Sequence, residues 1–361
     1  MKDKKYIALY KSIKNKINHG EYKSGEKLPS KRVMASISGC SLITVENAYR
    51  MLIDEGYIEP KERSGYFVGK AAFHDGGEKE NTQKKLQLLC EDTPSFDGDY
   101  FEHSVWSKTV RKVLSERGRE LFAKSPPDGC AVLRNAIAEY LLRYRGMFAQ
   151  PEQIVIGSGA ESLYEAAIRT LGRDRKYGVE NPCYSQITTV YEGLGIAPSP
   201  LAMGSDGIES RILEHADIDV LHVTPFHSYP SGVTASAPKR YEYLSWAKKQ
   251  GGYIIEDDFD SEFYIPVNPI DTLYSLDDSE RVIYINTFSK SLSPSFRMGY
   301  MILPSHLKHV YDGIMGKYSC TVPVLEQYVL SEFISSGNFE RHLNKVRRAG
   351  STRRQTYGEC S

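Results

Sequence analysis

The chain has 361 residues, 40% hydrophobic and 25% charged, with 46 Lys and Arg balancing 46 Asp and Glu. That length exceeds one ordinary core and points to a small domain plus a large one, and no apolar run approaches the roughly 20 residues that cross a bilayer. The charged start Met1-Lys2-Asp3-Lys4-Lys5 leads into no apolar leader, so a cytoplasmic protein without a membrane span is expected. Six scattered cysteines lack CxxC or Cys/His spacing, which fits neither a disulfide framework nor a zinc or other metal site.

Residues 1–70 hold 14 Lys and Arg against 8 Asp and Glu, and the remainder 32 against 38. Such a split suits a polyanion partner for the front of the chain, or simply a solvated basic face. Tyr6, Tyr10, Ile13 and Ile17 recur at helical spacing from Lys5 to His19, and Gly20 follows as a stop. Ser30 can cap a short helix with Val33, Met34 and Ile37 facing inward, closed by Ser38-Gly39. Ser41 caps a third helix whose buried stripe is Val45, Ala48, Tyr49 and Leu52, with Thr44, Asn47 and Arg50 off it. Two short helices across a tight glycine turn form a helix-turn-helix pattern. Tyr57-Ile58-Glu59 and Tyr66-Phe67-Val68 read as strands around Lys61-Glu62-Arg63-Ser64-Gly65, a basic-tipped wing. On pattern alone a three-helix module without DNA binding stays open.

Residues 71–85 are polar, contain Gly76-Gly77 and lack apolar periodicity, so they read as a linker. From residue 86 to 361, β-branched runs alternate with helical stretches, the pattern of an α/β fold with a mostly parallel sheet, in which ligands sit beyond the strand C-terminal ends. Ile154-Val155-Ile156 is a strand, and Gly157-Ser158-Gly159-Ala160-Glu161 opens a helix running through Leu171, where backbone N–H groups can cradle a phosphate. Tyr177-Gly178-Val179 precedes Glu180-Asn181-Pro182-Cys183-Tyr184, and Tyr184 fits either a ring-stacking wall or a packed core aromatic. Tyr253-Ile254-Ile255 ends in Glu256-Asp257-Asp258, and Val282-Ile283-Tyr284-Ile285-Asn286 leads to Thr287-Phe288-Ser289-Lys290, with Arg297 seven residues on. A lysine just past a strand, flanked by hydroxyls and an arginine, is what a Schiff base with a phosphorylated aldehyde requires. Pyridoxal 5'-phosphate also needs a carboxylate for its ring nitrogen, an aromatic wall and a phosphate cup, residue types that Asp257, Tyr184 and Gly157–Glu161 supply.

The front segment, in Lys27-Leu28-Pro29-Ser30-Lys31-Arg32, Thr44-Val45-Glu46-Asn47-Ala48-Tyr49, Glu55-Gly56-Tyr57-Ile58 and Ser64-Gly65-Tyr66-Phe67-Val68, resembles the winged helix of GntR-family bacterial regulators. That resemblance implies DNA contacts from Arg32, Ser41, Thr44 and Asn47, with the wing near Arg63 reaching the adjacent groove. Leu42 stands where the family usually has an arginine. The bidentate guanine contact an arginine makes, worth about 1–3 kcal/mol of discrimination, is then absent, which alters operator choice.

The large part resembles the fold-type I aminotransferases, specifically the MocR subfamily of GntR regulators with its GabR-like members. The residues carrying this are Glu180 to Tyr184, Thr224-Pro225-Phe226-His227-Ser228-Tyr229-Pro230-Ser231-Gly232, Glu256-Asp257-Asp258-Phe259-Asp260-Ser261-Glu262, Thr287 to Lys290, and Arg297-Met298-Gly299-Tyr300. The resemblance implies that Lys290 holds the aldehyde, Asp257 pairs with the pyridine nitrogen, Tyr184 stacks, and Ser158, Gly159, Ala160, Glu161, Thr287, Ser289 and Arg297 surround the phosphate. It also implies a homodimer. Phe259 stands where the family usually has a tyrosine that bonds the cofactor phenolate, and Gln186 where GabR-like members have an arginine. Relatives continue into a C-terminal subdomain that supplies a carboxylate-gripping arginine, for which residues up to Ser361 hold no counterpart.

The expectation is a transcriptional regulator whose winged helix binds DNA and whose Lys290 Schiff base reacts with a small amino compound. The alternatives are a catalytic aminotransferase with an incidental DNA module, and a truncated relic that only binds DNA.

Overall fold

The computed structural model describes residues 5–18, 21–23, 25–54, 57–61, 64–68, 101–259, 261–262 and 271–347. The expected stop at Gly20, the wing-tip Arg63 and the linker at 71–85 lie outside these residues. The chain divides into two compact units, one built on the N-terminal helices and hairpin and also taking in Ala235–Tyr243, the other on a seven-stranded sheet.

In the first unit, α1 (Lys5–Asn18), α2 (Lys31–Ser38) and α3 (Leu42–Asp54) precede a hairpin of β1 (Ile58–Lys61) and β2 (Gly65–Val68). Tyr10 and Ile13 of α1 pack with Val45, Ala48, Tyr49 and Leu52, the α3 stripe that helical spacing predicts. The Ser30 side chain accepts from the Val33 N–H, and Gly39 closes α2 in the left-handed conformation. One expectation fails on α2. Met34 is buried, but Val33 and Ile37 are 50% and 69% exposed, and the inward face is Lys31, Met34, Ala35 and Ser38. Ala35 packs beside Met34 on the core of this unit, so the covered stripe is not the bulkiest one.

In the second unit, α4 (His103–Arg117) and α5 (Ala131–Tyr140), the latter running into a wider π turn at Leu141–Arg145, precede β3 (Ile154–Gly157) and α6 (Ala160–Leu171). Next come β4 (Tyr177–Asn181), α7 (Ser185–Gly193), β5 (Ser199–Ala202), α8 (Ser210–His215), β6 (Val220–Val223), α9 (Ala237–Gln250, of which Ala237–Tyr243 is counted with the first unit) and β7 (Tyr253–Asp258). Then follow α10 (Leu273–Leu276), β8 (Val282–Thr287), α11 (Phe288–Ser291), β9 (Gly299–Ile302), α12 (Ser305–Met315) and α13 (Val324–Ser335). A last helix, α14, covers 338–347.

The sheet order is β3-β9-β8-β7-β6-β4-β5. Strands β5, β4, β6, β7 and β8 run parallel, and β9 lies antiparallel between β8 and β3. Both faces are covered, which is why these strands read as continuous apolar runs. Ile154, Ile156, Tyr284, Tyr300 and Ile302 pack on one side with α5 and α13, while Val155, Ile283, Ile285 and Met301 pack on the other with α6 and α12. The architecture is α/β, with a mostly parallel mixed sheet.

Candidate functional site

The C-terminal ends of β3, β7 and β8 gather the chemistry-bearing residues of the large unit. Asp257, 3% exposed at the end of β7, accepts a hydrogen bond from the Tyr164 hydroxyl of α6 at 2.5 Å. Burial, then the Asp257 carboxylate, holds the Tyr164 phenol well above its usual pKa, so it stays a donor. Behind it His222 of β6 packs edge-on against Tyr164 at 5.0 Å and meets the Tyr191 hydroxyl at 3.1 Å through Nδ1. Burial pushes His222 down to about 3, so the imidazole is neutral. The neighbouring Glu180, at the end of β4, accepts from Ser228 Oγ at 2.5 Å and is pushed by burial up to about 8.

Lys290 lies in α11, directly after β8, with its Nζ 4.2 Å from the Phe259 ring centroid. Thr287, buried at the end of β8, precedes that short helix, and Ser289 lies within it, half-buried. The turn between β3 and α6 carries Ser158, whose Oγ accepts from the Thr321 hydroxyl at 2.8 Å. Gly159 has φ +90°, and a Cβ there would come within 3.3 Å of Glu161 Oε2 and 3.4 Å of the Arg297 guanidinium carbon. The backbone conformation favours glycine. Ala160 opens α6, and Glu161 pairs with Arg297 at 3.0 Å. Tyr184, 43% exposed, meets Tyr229 edge-on at 6.0 Å. Burial raises its phenol, and the carboxylates of Glu161 and Asp257 add to the effect. Tyr164 and Thr321 were not legible as site residues. Tyr164 reads as one more apolar position on α6, and Thr321 sits 163 residues from its partner.

A second network lies beneath the cleft. Arg145, from the π turn, donates to Asp258 Oδ2 at 2.8 Å and to Ser261 Oγ at 2.5 Å, with both charged side chains essentially buried. Tyr284 also donates to Asp258, at 2.7 Å. Adjacent carboxylates on β7 thus differ in surroundings, Asp257 toward the cleft and Asp258 toward the scaffold.

In the small unit Ser41 Oγ accepts from the Thr44 N–H at 3.2 Å and lies 2.8 Å from the Thr44 hydroxyl. Arg32 is exposed, Thr44 and Asn47 are half-buried, and Lys31 holds Glu46 at 2.6 Å. The wing strands pair with Lys61 opposite Gly65, and Lys61 Nζ lies over the Phe67 ring at 4.7 Å.

This geometry is matched by two family models: bacterial regulatory proteins of the gntR family over residues 5–68, and aminotransferase class I and II over residues 84–360. The chain belongs to the aminotransferase class I and II family, in the branch whose members carry a gntR domain in front and act as transcriptional regulators. It is 35% identical to the HTH-type transcriptional regulator YdeL of Bacillus subtilis, over 95% of this chain and 76% of that one. It is 29% identical to the HTH-type pyridoxine biosynthesis transcriptional regulator PdxR of Corynebacterium glutamicum, over 94% and 75%. To the probable rhizopine catabolism regulatory protein MocR of Rhizobium meliloti it is 27% identical, over 97% and 75%. Among solved structures an archaeal alanine:glyoxylate aminotransferase shares the fold at TM-score 0.63 and 26% identity, over 68% of this chain and 63% of that one. No helix among the described residues is long and apolar enough to cross a membrane.

Proposed function

We propose that this cytoplasmic regulator holds pyridoxal 5'-phosphate at Lys290 and uses it to sense a small amino compound, with DNA binding by the winged helix as output. What supports this reading is a buried carboxylate at the end of β7, a positive-φ glycine in the turn after β3 and a lysine directly after β8, in a chain that also bears a gntR module. The residues fit the group. Gly159, at φ +90°, turns the backbone into the start of α6, the α6 N-terminus and Arg297 present positive charge to a phosphate, and buried Asp257 offers an anionic partner to a protonated ring nitrogen.

When bound, pyridoxal 5'-phosphate supplies an aldehyde that passes from one amine to another. Lys290 presents the resident amine. Asp257, held by Tyr164, keeps the proton on the ring nitrogen. Tyr184 would wall one side of the bound ring, and Ser158, Gly159, Ala160, Glu161, Thr287, Ser289 and Arg297 would hold its phosphate. Arg32, Ser41, Thr44, Asn47 and Arg63 face DNA, and a homodimer is the working assembly. An amino compound switches the output by binding one conformer better than the other.

Absorbance spectra test the cofactor half. Purified wild-type chain titrated with pyridoxal 5'-phosphate is expected to gain a visible band that Lys290→Ala lacks, and identical spectra would sink the reading. Mobility shifts with the DNA upstream of the chain's own gene, at stated salt, test the other half, and no shift above competitor DNA counts against it.

A further inference from the structure

We infer that the first turn of α3 reads thymine, with Leu42 and Ile43 meeting C5-methyl groups in the major groove of an A·T-bearing half-site. This rests on the reading of the small unit as a DNA-binding module. Leu42 is 46% and Ile43 70% exposed, on the turn of the recognition helix that contacts base edges in helix-turn-helix docking. The α3 core stripe of Val45, Ala48, Tyr49 and Leu52 is fully buried, so Ile43 leads the opposite face, followed at positions four and seven by Asn47 and Arg50. Neither Leu42 nor Ile43 can hydrogen-bond a base edge. In the major groove the apolar group offered is the thymine methyl, and an asparagine on the same face suits adenine N6 and N7. Ser41 and Thr44 partly satisfy one another, leaving less hydroxyl capacity for bases.

Charge points to the same occupant. Arg32, Arg50 and Lys61 are exposed on the same small unit, and Glu46 of α3 is tied to Lys31. Residues 1–70 carry 14 Lys and Arg against 8 Asp and Glu. A polyanion with apolar groups in its groove matches such a surface. On α2, Val33 and Ile37 are also exposed, one turn apart, and a second copy of this chain is the rival occupant of the apolar face.

The test uses the full chain. Duplexes of roughly 20 random base pairs, two turns of DNA, are selected by binding, and the recovered duplex is remade with deoxyuridine for thymine, which removes the methyl alone. Recovered half-sites are expected to be rich in T·A. Each contacted methyl removed is expected to weaken wild-type binding about fourfold, equivalent to about 0.8 kcal/mol. Leu42→Ala and Ile43→Ala are each expected to become indifferent to one such swap, with unchanged melting curves because both positions are exposed, and Leu42→Arg to shift selection toward guanine. The proposal is overturned if deoxyuridine leaves wild-type affinity unchanged, or if the alanine variants weaken both duplexes equally. It is also overturned if those variants dissociate a dimer in sedimentation, which assigns the face to a second copy. Recovery of no duplex above background overturns the DNA-binding reading itself, a result distinct from the others.

Discussion

Arg297 is held at φ +43°, a left-handed conformation that a non-glycine residue adopts at a cost of about 1–3 kcal/mol. Its guanidinium reaches the cup and pairs there with Glu161 at 3.0 Å, both side chains being partly open to solvent. A phosphate in the cup competes with that carboxylate for Arg297 and is repelled by it. Glu161→Gln is therefore expected to tighten pyridoxal 5'-phosphate binding by roughly two- to fivefold, a modest change because solvent screens the pair. Absorbance titration of the two proteins measures it, and an unchanged or weaker affinity removes Glu161 from the phosphate's surroundings. Phe259 lies with its ring centroid 4.2 Å from Lys290 Nζ, within the reach of a cation–π contact.

Among the elements, the π turn at the end of α5 and the end of β7 are joined by Arg145 and Asp258, 113 residues apart in the chain. Arg145→Met leaves a buried carboxylate without its cation and is expected to cost about 3–5 kcal/mol, with Arg145→Lys recovering part of the loss. Urea unfolding followed by tryptophan fluorescence reads this, since Trp106 and Trp246 both lie in the large unit. A loss under 1 kcal/mol refutes a structural role for the pair. This link also marks the boundary of what the sequence shows. Strands β3, β7 and β8 were legible because each is an apolar run ending in polar residues, and α3 because its stripe is bulky and regular. The roll of α2 was not, because periodicity weights Val33 and Ile37 by size, whereas the covered stripe is that of Met34 and Ala35. Lys290, Asp257 and the glycine turn announce themselves locally by position after strands. Tyr164, Thr321 and Arg145 do not, because each acts on a residue remote in sequence and resembles ordinary core or surface in its own neighbourhood.

Across the large unit, burial shifts several titratable groups toward their neutral forms. Glu180, at about 8, folds protonated; its contribution is complete below the usual carboxylate range near 4.5 and is lost as pH rises through 8. Glu262, raised by burial to about 7, has the same sign. His222, depressed to about 3, has the opposite sign, its contribution being present above 6.5 and lost as pH falls through 3. Between pH 6.5 and 8, His222 no longer offsets Glu180. Stability should fall there, at up to about 1.4 kcal/mol per pH unit for each group, and Glu180→Gln should remove most of the fall. Urea midpoints at a series of pH values check this, and a variant with the wild-type slope contradicts it. The antiparallel β9 has a further consequence. Its Gly299 lies opposite both Gly157 of β3 and Thr287 of β8, and a Cβ there would sit 2.7 Å from the Asn286 carbonyl oxygen. One residue therefore stitches the two rims of the cup together, and it is made long after the first rim. At about 5–20 residues per second, a ribosome needs roughly 7 to 28 seconds to travel from 157 to 299. During that interval the nascent chain has half a cup, with the β3 edge waiting for its partner.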